Sequence, residues 1–271
     1  MAMKLIATDL NGTLLHQDQG FNQPLLKETL SQLKQRGIRL VLASGNQYAH
    51  LKEVFREIWS TDLAVIAENG ASIYLGDELV FDGSLTPQQV RLFLSATAQD
   101  EFLQNAYLIL VGAQGSYTRV GAPAPLIAAA EKFYDHLQQV MSLETVTDRI
   151  KKISVSTAPE QAAALVQHLN QRFTGQLRAH DSGYGVIDVV SLHVGKLPAV
   201  QWLAQHWQIP ATEIVAFGDG ANDVPLLNYA GQSYAMKNAP VDIQAQAKHV
   251  TVWDNDRDGV LRTIATLLVA D

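Results

Sequence analysis

Short apolar runs and amphipathic helical segments alternate through the first part of this chain. The runs at 4–8, 40–43 and 64–67 are short enough and apolar enough for buried strands. Two segments between them, 22–36 and 47–59, carry apolar residues at helical spacing. Because strands that alternate with helices form a parallel sheet with helices packed on its faces, the sequence predicts an α/β fold.

The pattern changes after this first part. Residues 73–81 predict a hairpin, and from 85 to 185 helical segments and strand pairs follow without the earlier alternation. The apolar run 186–190 then predicts a strand with which the first pattern resumes. At roughly 100 to 200 residues per domain, a chain of 271 residues allows one large or two modest domains. The change of pattern favours two: a core formed by residues 1–84 and 186–271, and an inserted α/β domain over residues 85–185.

Composition and charge exclude several classes of protein. Hydrophobic residues make up 47% of the chain and charged residues 17%, which is enough apolar material for a packed core. The net charge of −7, without a cluster of Lys and Arg, argues against nucleic-acid binding. The absence of cysteine excludes disulfides and thiolate metal ligands, and no apolar run approaches the ~18 residues of a membrane span. We therefore expect a cytoplasmic protein without a membrane anchor and without an obligate protein partner.

Four polar segments adjoin the predicted elements where an α/β sheet binds its ligands. They are Asp9-Leu10-Asn11-Gly12-Thr13, Ser44-Gly45-Asn46, Lys196 and Gly218-Asp219-Gly220-Ala221-Asn222-Asp223. Three of them follow apolar runs and so lie at the carboxyl ends of strands, whereas Lys196 opens a predicted helix. Taken singly, each has an ordinary explanation as a turn, a helix cap or a solvated charge. Four such segments in this order predict one site.

The order and spacing of these segments resemble the haloacid dehalogenase (HAD) superfamily. The four loops of that family are an Asp-x-Asp-Gly-Thr motif, a Ser or Thr, a Lys, and an acidic Gly-Asp-x-x-x-Asp signature. Glu68-Asn69-Gly70-Ala71 and the long insertion before Lys196 resemble its Cof-type branch, and Ala43-Ser44-Gly45-Asn46-Gln47-Tyr48 is similar to bacterial sugar phosphatases of the YbiV kind. The resemblance covers nearly the whole chain. It implies a Rossmann-like parallel-sheet core with an inserted mixed α/β cap domain that sets substrate specificity.

The resemblance also implies a phosphatase that works through an aspartyl-phosphate. Asp9 is expected to be the nucleophile, so that hydrolysis is split into two easier steps. Mg²⁺ prefers oxygen ligands. The family pattern places Asp9, the backbone carbonyl of Asn11 and Asp219 on this ion, with Asp223 binding through water. The expected cofactor is therefore Mg²⁺.

A second group of residues is expected to bind phosphate. Ser44 and the backbone amides of Gly45 and Asn46 precede a predicted helix, where N–H groups and the helix dipole favour an anion. By the resemblance, Lys196 brings a positive charge to the phosphoryl oxygens and to Asp9, and Asn222 donates a further hydrogen bond. The expected ligand is a small phosphorylated metabolite, and the same resemblance implies a sugar phosphate.

One residue departs from the family pattern. The chain has Asn11 where the family has a second Asp that moves protons, and an amide neither gives up nor accepts a proton near pH 7. Because general acid–base catalysis contributes ~10²–10⁴-fold, we expect turnover to be slowed to a similar extent. Three explanations stay open: an engineered Asp→Asn change that traps substrate, a natural slow enzyme, or a protein that binds sugar phosphates without hydrolysing them. A phosphomutase with the same residues is a further alternative.

Overall fold

The computed structural model describes residues 3–60, 63–104, 106–134, 136–183 and 185–270. The strands, in chain order, are β1 (Leu5–Thr8), β2 (Arg39–Ala43), β3 (Ala64–Ala67), β4 (Ser72–Leu75), β5 (Glu78–Asp82), β6 (Tyr107–Gly112), β7 (Ser116–Arg119), β8 (Leu137–Val140), β9 (Ile150–Ser156), β10 (Leu177–Asp181), β11 (Val186–Ser191), β12 (Ile214–Gly218), β13 (Gln232–Ala235) and β14 (His249–Val250). The α-helices are α1 (Gln23–Gln35), α2 (Tyr48–Val54), α3 (Pro87–Thr97), α4 (Ala124–Ala130), α5 (Ala162–Arg172), α6 (Lys196–His206), α7 (Val224–Tyr229), α8 (Val241–Gln244) and α9 (Gly259–Ala270). Among these described helices, none has the length and apolar character needed to cross a membrane.

The first sheet joins the two ends of the chain. Across the described residues its order is β14-β13-β12-β1-β2-β3-β4-β5, and the neighbours from β14 to β3 run parallel. Strand β1 lies in the middle, so that residues 5–8 pair with 214–217 on one side and with 39–42 on the other. This arrangement confirms the α/β fold with a parallel sheet. The carboxyl ends of β1, β2 and β12 therefore meet at one edge.

Buried apolar side chains from both ends of the chain cover this sheet. Leu5 and Val41 come from the strands, Leu26 from α1, Val200 from α6 and Ile264 from α9, and all are fully buried. Because helices cover both faces, the parallel strands are apolar along their length rather than alternating. The same burial explains why these strands were visible in the sequence as short continuous apolar runs.

The predicted hairpin extends the first sheet. Strand β4 pairs antiparallel with β3, and β5 pairs antiparallel with β4. Strand β5 ends at Asp82, whose Oδ1 accepts a hydrogen bond from Nζ of Lys151 in β9 at 2.7 Å. The edge strand of the first sheet thus contacts the second sheet directly.

The second sheet is mainly antiparallel and has a core of its own. Within the described ranges its order is β10-β11-β9-β6-β7-β8, and β7 and β8 form a parallel pair. Phe93 from α3, Leu165 from α5 and Ile153 from β9 are fully buried or nearly so in this second core. A mixed α/β unit beside the parallel sheet confirms the second half of the predicted fold class.

The strand at 186–190 does not lie where the sequence analysis placed it. Strand β11 pairs antiparallel with β9 and β10 in the second sheet. The prediction that the run at 186–190 is the strand with which the core resumes is therefore wrong. Ile187 and Val189 are buried in the second core, while the carboxylate of Asp188 accepts hydrogen bonds from side chains of the same sheet. An apolar run predicts a buried strand, but its sequence does not specify which of two sheets receives it.

Helix α1 closely matches its predicted segment, whereas α2 ends earlier than predicted. The pattern over 47–59 suggested one continuous helix, but α2 stops at Val54. Beyond it the N–H of Ile58 donates to the carbonyl of Phe55 at 2.9 Å in a tighter turn. Both of these side chains are still buried, so the apolar spacing was read correctly while the backbone conformation was not.

Candidate active site

Asp9 and Asp223 share one buried lysine at the carboxyl edge of the first sheet. Asp9 directly follows β1, and its N–H donates to the carbonyl of Phe217 in β12 at 3.0 Å, which continues the strand pairing to the edge. Lys196 opens α6, and its Nζ lies 2.6 Å from Oδ1 of Asp9 and 2.7 Å from Oδ1 of Asp223. All three side chains are buried. The structure therefore brings together residues that are far apart in the chain.

The acidic loop after β12 folds back on itself and onto the first motif. The backbone N–H groups of Asp219 and Gly220 each donate to Oδ2 of Asp223 at 3.1 Å. Oδ1 of Asp219 accepts a hydrogen bond from Oγ1 of Thr13 at 2.8 Å. Gly12 has a φ of +75°, and a Cβ there would overlap the carboxylate of Asp219. Glycine at this position is thus needed for both the backbone conformation and the approach of Asp219.

Three carboxylates at this edge are only partly neutralised by the lysine. One oxygen from each of Asp9, Asp219 and Asp223 lies within 4.8 Å of the others. Burial raises the pKa of Asp9 to about 6, Lys196 opposes the shift and Asp219 adds to it. Burial also raises the pKa of Asp223 to about 6, again against the effect of Lys196. Burial and the charge of Asp223 raise the pKa of Asp219 as well.

This donor set fits a hard divalent cation. All three side chains offer carboxylate oxygens, the ligand atoms that Mg²⁺ prefers, and they are close enough for one ion to contact more than one of them. A cation would also offset the negative charge that Lys196 leaves uncompensated. Among the described contacts, the side chain of Asn11 is hydrogen-bonded to Asn46 and Gln19 and not to these carboxylates.

The segment Ser44-Gly45-Asn46 forms a tight loop held from several sides. The N–H of Ser44 donates to the carbonyl of Ile66 in β3 at 2.8 Å, and the N–H of Asn46 donates to Oγ of Ser44 at 3.1 Å. The N–H of Asn69 donates to the carbonyl of Ser44 at 2.9 Å, and the N–H of Glu68 donates to that of Asn46 at 2.9 Å. The loop that follows β3 therefore fixes the loop that follows β2.

Asn11 lies against this loop. Its Oδ1 accepts a hydrogen bond from Nδ2 of Asn46 at 3.0 Å, and its Nδ2 donates to Oε1 of Gln19 at 2.6 Å. Gln19 has a left-handed backbone with a φ of +66°. The amide of Asn11 is thus oriented by two partners, and its oxygen faces Asn46.

Asn222 and Asn69 connect the acidic loop to the second sheet. Nδ2 of Asn222 donates to Oδ1 of Asn69 at 3.1 Å, and Nδ2 of Asn69 donates to Oδ2 of Asp188 in β11 at 2.7 Å. The sequence predicts that Glu68-Asn69-Gly70 shapes a loop near the site without a catalytic role, and it does not identify Asp188 or its partner Lys152 as site residues. For Asn69 a signal existed, because it follows a buried strand at the same edge of the sheet as the four motifs.

The chain is similar to known hydrolases over most of its length. A family model described as haloacid dehalogenase-like hydrolase matches residues 6–264. The 5-amino-6-(5-phospho-D-ribitylamino)uracil phosphatase YbjI of Escherichia coli is 32% identical over 270 residues, which cover 99% of this chain and 97% of that protein. An HMP-PP phosphatase of Cronobacter sakazakii is 28% identical over 251 residues, 92% of this chain and 89% of that protein.

Solved structures show the same likeness in three dimensions. The protein SMU.1108c of Streptococcus mutans superposes with a TM-score of 0.94 at 29% identity, covering 99% of this chain and 100% of that one. A haloacid dehalogenase-like hydrolase from B. subtilis superposes with a TM-score of 0.84 at 25% identity, covering 98% and 100%. The likeness therefore includes both sheets.

Proposed function

The chain belongs to the haloacid dehalogenase-like hydrolases and, like its phosphatase relatives, is a phosphoric monoester hydrolase. We propose that it is a Mg²⁺-dependent phosphatase that acts on small phosphorylated metabolites, including sugar phosphates. The observation that carries this proposal is the cluster of Asp9, Lys196, Asp219 and Asp223 beside the Ser44 loop. It offers a nucleophile, a cation and anion-binding N–H groups at one edge of the sheet.

In the proposed mechanism the carboxylate of Asp9 attacks the phosphorus of the substrate. A bond forms between Asp9 Oδ and phosphorus, the ester bond to the leaving alcohol breaks, and the alcohol oxygen takes up a proton from solvent water because Asn11 has none to give. Water then attacks the aspartyl-phosphate, releases inorganic phosphate and restores the carboxylate. Lys196 offsets the charge of the phosphoryl oxygens, and Ser44 and the N–H groups of its loop bind them.

A divalent cation would be held by Asp9, Asp219 and Asp223, with the main-chain carbonyl of Asn11 as a further ligand. Bound there, it supplies neutralisation of phosphate charge, which lets an anionic nucleophile approach an anionic substrate. Because a main-chain oxygen rather than the side chain is used at Asn11, the Asn in place of Asp leaves this proposed ligand set unchanged.

The second sheet and its helices form the proposed cap. We propose that the cap begins near residue 85, as the sequence predicted. Because β11 belongs to the second sheet, the proposed cap ends at Ser191 rather than at residue 185. The relative with 32% identity is named for a substrate with a 5-phospho-D-ribitylamino group. We therefore include phosphorylated sugar alcohols with sugar phosphates in the proposed substrate class. The cytoplasmic location stays a prediction from the sequence.

A second candidate function is supported by Asn11. Without a proton-transfer group near the leaving oxygen, the chain could bind sugar phosphates at the same site and turn them over too slowly to matter. This alternative shares every binding residue with the first and differs from it only in rate.

Phosphate release separates the two candidates. We would measure inorganic phosphate released from a panel of sugar and sugar-alcohol phosphates, with Mg²⁺ or with a chelator, for the chain as given and for Asn11→Asp. The expected result is slow Mg²⁺-dependent release that Asn11→Asp accelerates, with Asp9→Asn inactive as the control. Release from neither form would reject the phosphatase and leave the binding protein. Migration of the phosphate within the substrate without release would indicate a phosphomutase.

A further inference from the structure

Lys152 reaches from the second sheet to the backbone of the proposed phosphate loop. Lys152 lies in β9 and is only 3% exposed to solvent. Its Nζ donates a hydrogen bond to the carbonyl of Gly45 at 2.9 Å. The same Nζ forms an ion pair with Oδ2 of Asp188 at 2.7 Å. A buried cation from one sheet is thus hydrogen-bonded to the loop that follows β2 in the other.

Asp188 holds this lysine in place through a saturated set of contacts. Oδ1 accepts from Oγ of Ser154 at 2.6 Å, and Oδ2 accepts from Oγ of Ser182 at 2.8 Å and from Nδ2 of Asn69 at 2.7 Å. A buried carboxylate with this many donors has a fixed orientation, and it therefore fixes the direction of its cationic partner. Lys152 therefore has little freedom to leave Gly45.

The contact with Gly45 also orients the N–H group of Asn46. The carbonyl of Gly45 and the N–H of Asn46 belong to one trans peptide plane, so they point in opposite directions. With the carbonyl held toward Lys152, the N–H is turned toward Oγ of Ser44, to which it donates at 3.1 Å. Since Gly45 lacks a side chain, this peptide plane would otherwise rotate at low cost.

We propose that Lys152 is a positioning residue that holds the Gly45–Asn46 peptide in the orientation needed to bind the phosphoryl group. When phosphate binds, the N–H of Asn46 would exchange its bond to Oγ of Ser44 for one to a phosphoryl oxygen, beside the hydroxyl of Ser44. The loop is complete only while the second sheet is docked on the first, because the cation that orients it belongs to the second sheet. This inference rests on the proposed function, since it assigns Lys152 to the phosphate-binding step of that reaction.

The neighbouring lysine provides a matched control. Lys151 lies in the same strand, is 2% exposed and also crosses to the first sheet, where its Nζ pairs with Oδ1 of Asp82 at 2.7 Å. Asp82 ends β5 and is not part of the phosphate loop. Lys151→Met removes an ion pair between the two sheets, and Lys152→Met removes an ion pair within the second sheet, but only Lys152→Met also removes the contact with Gly45.

The test compares these variants in the full chain. Binding of inorganic phosphate in the presence of Mg²⁺ is measured by titration calorimetry, kcat and KM by phosphate release in an Asn11→Asp background, and unfolding by thermal denaturation. We expect Lys152→Met to weaken phosphate binding and to lower kcat by about 10²-fold, the lower end of the loss for one oxyanion donor. Lys151→Met should lower stability while phosphate affinity and kcat stay at the level of the parent.

Lys152→Gln keeps the test decisive if Lys152→Met does not fold. Its side chain is one bond shorter and retains an N–H donor for Asp188 without reaching Gly45, so it should keep the fold and still lose phosphate affinity. If the folded Lys152 variants bind phosphate and turn over like Lys151→Met, the lysine is a structural ion pair and the inference is wrong. If no substrate is hydrolysed but phosphate binding still depends on Lys152, the proposed function fails while the positioning role stands.

Discussion

The side-chain amide of Asn46 donates a hydrogen bond to Oδ1 of Asn11 at 3.0 Å, so the residue that departs from the phosphatase pattern is tied to the proposed phosphate loop. Asn11 thereby keeps one function that an aspartate in its place would also have, which is to accept this bond. Unlike an aspartate, it has no group that can transfer a proton to or from the leaving oxygen near neutral pH.

Asn11→Asp should therefore increase kcat without disturbing the loop. The new carboxylate can still accept from Asn46 and adds a proton-transfer group, so we expect a gain of about 10²–10⁴-fold in steady-state phosphate release. Mg²⁺ affinity should change little. Asn11→Ala is the control, because it removes the amide without adding a proton donor and should give no gain. An Asn11→Asp enzyme as slow as its parent would contradict the assigned role of this position.

Gly12→Ala should damage the metal site more than the fold. A Cβ at Gly12 would overlap the carboxylate of Asp219, so Asp219 must move away from Asp9 and Asp223. Gly37 is a matched control, because its φ of +66° imposes a similar backbone cost while nothing lies within 4 Å of an added Cβ. Both variants should lose about 1–2 kcal/mol of stability from the left-handed backbone. Only Gly12→Ala should need much more Mg²⁺ for half-maximal activity, and equal Mg²⁺ dependence would refute the argument.

Mg²⁺ should stabilise the folded chain itself. Its binding relieves the repulsion among Asp9, Asp219 and Asp223, and one site at a hundred times its Kd adds about 2.7 kcal/mol to the free energy of unfolding. The measurement is the thermal midpoint with and without Mg²⁺. Asp219→Asn should reduce the rise, whereas Asp77→Asn, a change at an exposed position outside the cluster, should leave it intact. A midpoint insensitive to Mg²⁺ would count against the metal site.

His180 should contribute stability that is lost at mildly acidic pH, whereas the raised pKa values of Asp9 and Asp223 act in the opposite direction. Burial and the nearby charge of Arg178 together lower the pKa of His180 to about 4, although Asp188 opposes the shift. The unfolded chain, with an ordinary histidine pKa of about 6.5, binds more protons between these two values. The contribution of His180 is therefore fully present above pH 6.5 and is lost as the pH falls toward 4. The loss amounts to at most about 3 kcal/mol at 1.36 kcal/mol per pKa unit.

His180→Gln isolates this contribution. The amide keeps a polar side chain at this buried position, but it does not titrate. Free energies of unfolding from denaturant titrations between pH 4 and 7 should have a more positive slope against pH for the parent than for the variant. Identical slopes would show that His180 is not the group responsible.

The sequence predicted the parts of the structure that depend on local pattern. Apolar runs located β1, β2, β3 and β12, and because parallel strands end at a common edge, the meeting of Asp9 with Asp223 was foreseeable. Asn69 lay within a recognised segment, but its partners across the two sheets were not readable from its neighbours in the chain.

The sheet that contains residues 186–190 and the burial of Lys152 could not be predicted from the sequence, because both depend on contacts between distant segments. The run at 186–190 has the composition of a buried strand in either sheet, and its placement depends on pairing with β9 and β10. Lys152 follows a second lysine in a short strand, where a solvated charge is the usual expectation. Its burial depends on Asp188 and Gly45, which only the folded chain brings next to it.

Strand β1 lies between β2, which precedes the inserted unit, and β12, which follows it. This position has a consequence for synthesis on the ribosome. Asp9, the proposed nucleophile, is translated before the inserted unit, whereas Lys196 and the acidic loop emerge only after it. Until then β1 lacks one neighbour, and a truncated nascent chain has neither a closed sheet nor a working centre. Pairing across so long a stretch also makes closure of this sheet a slow, late event in folding.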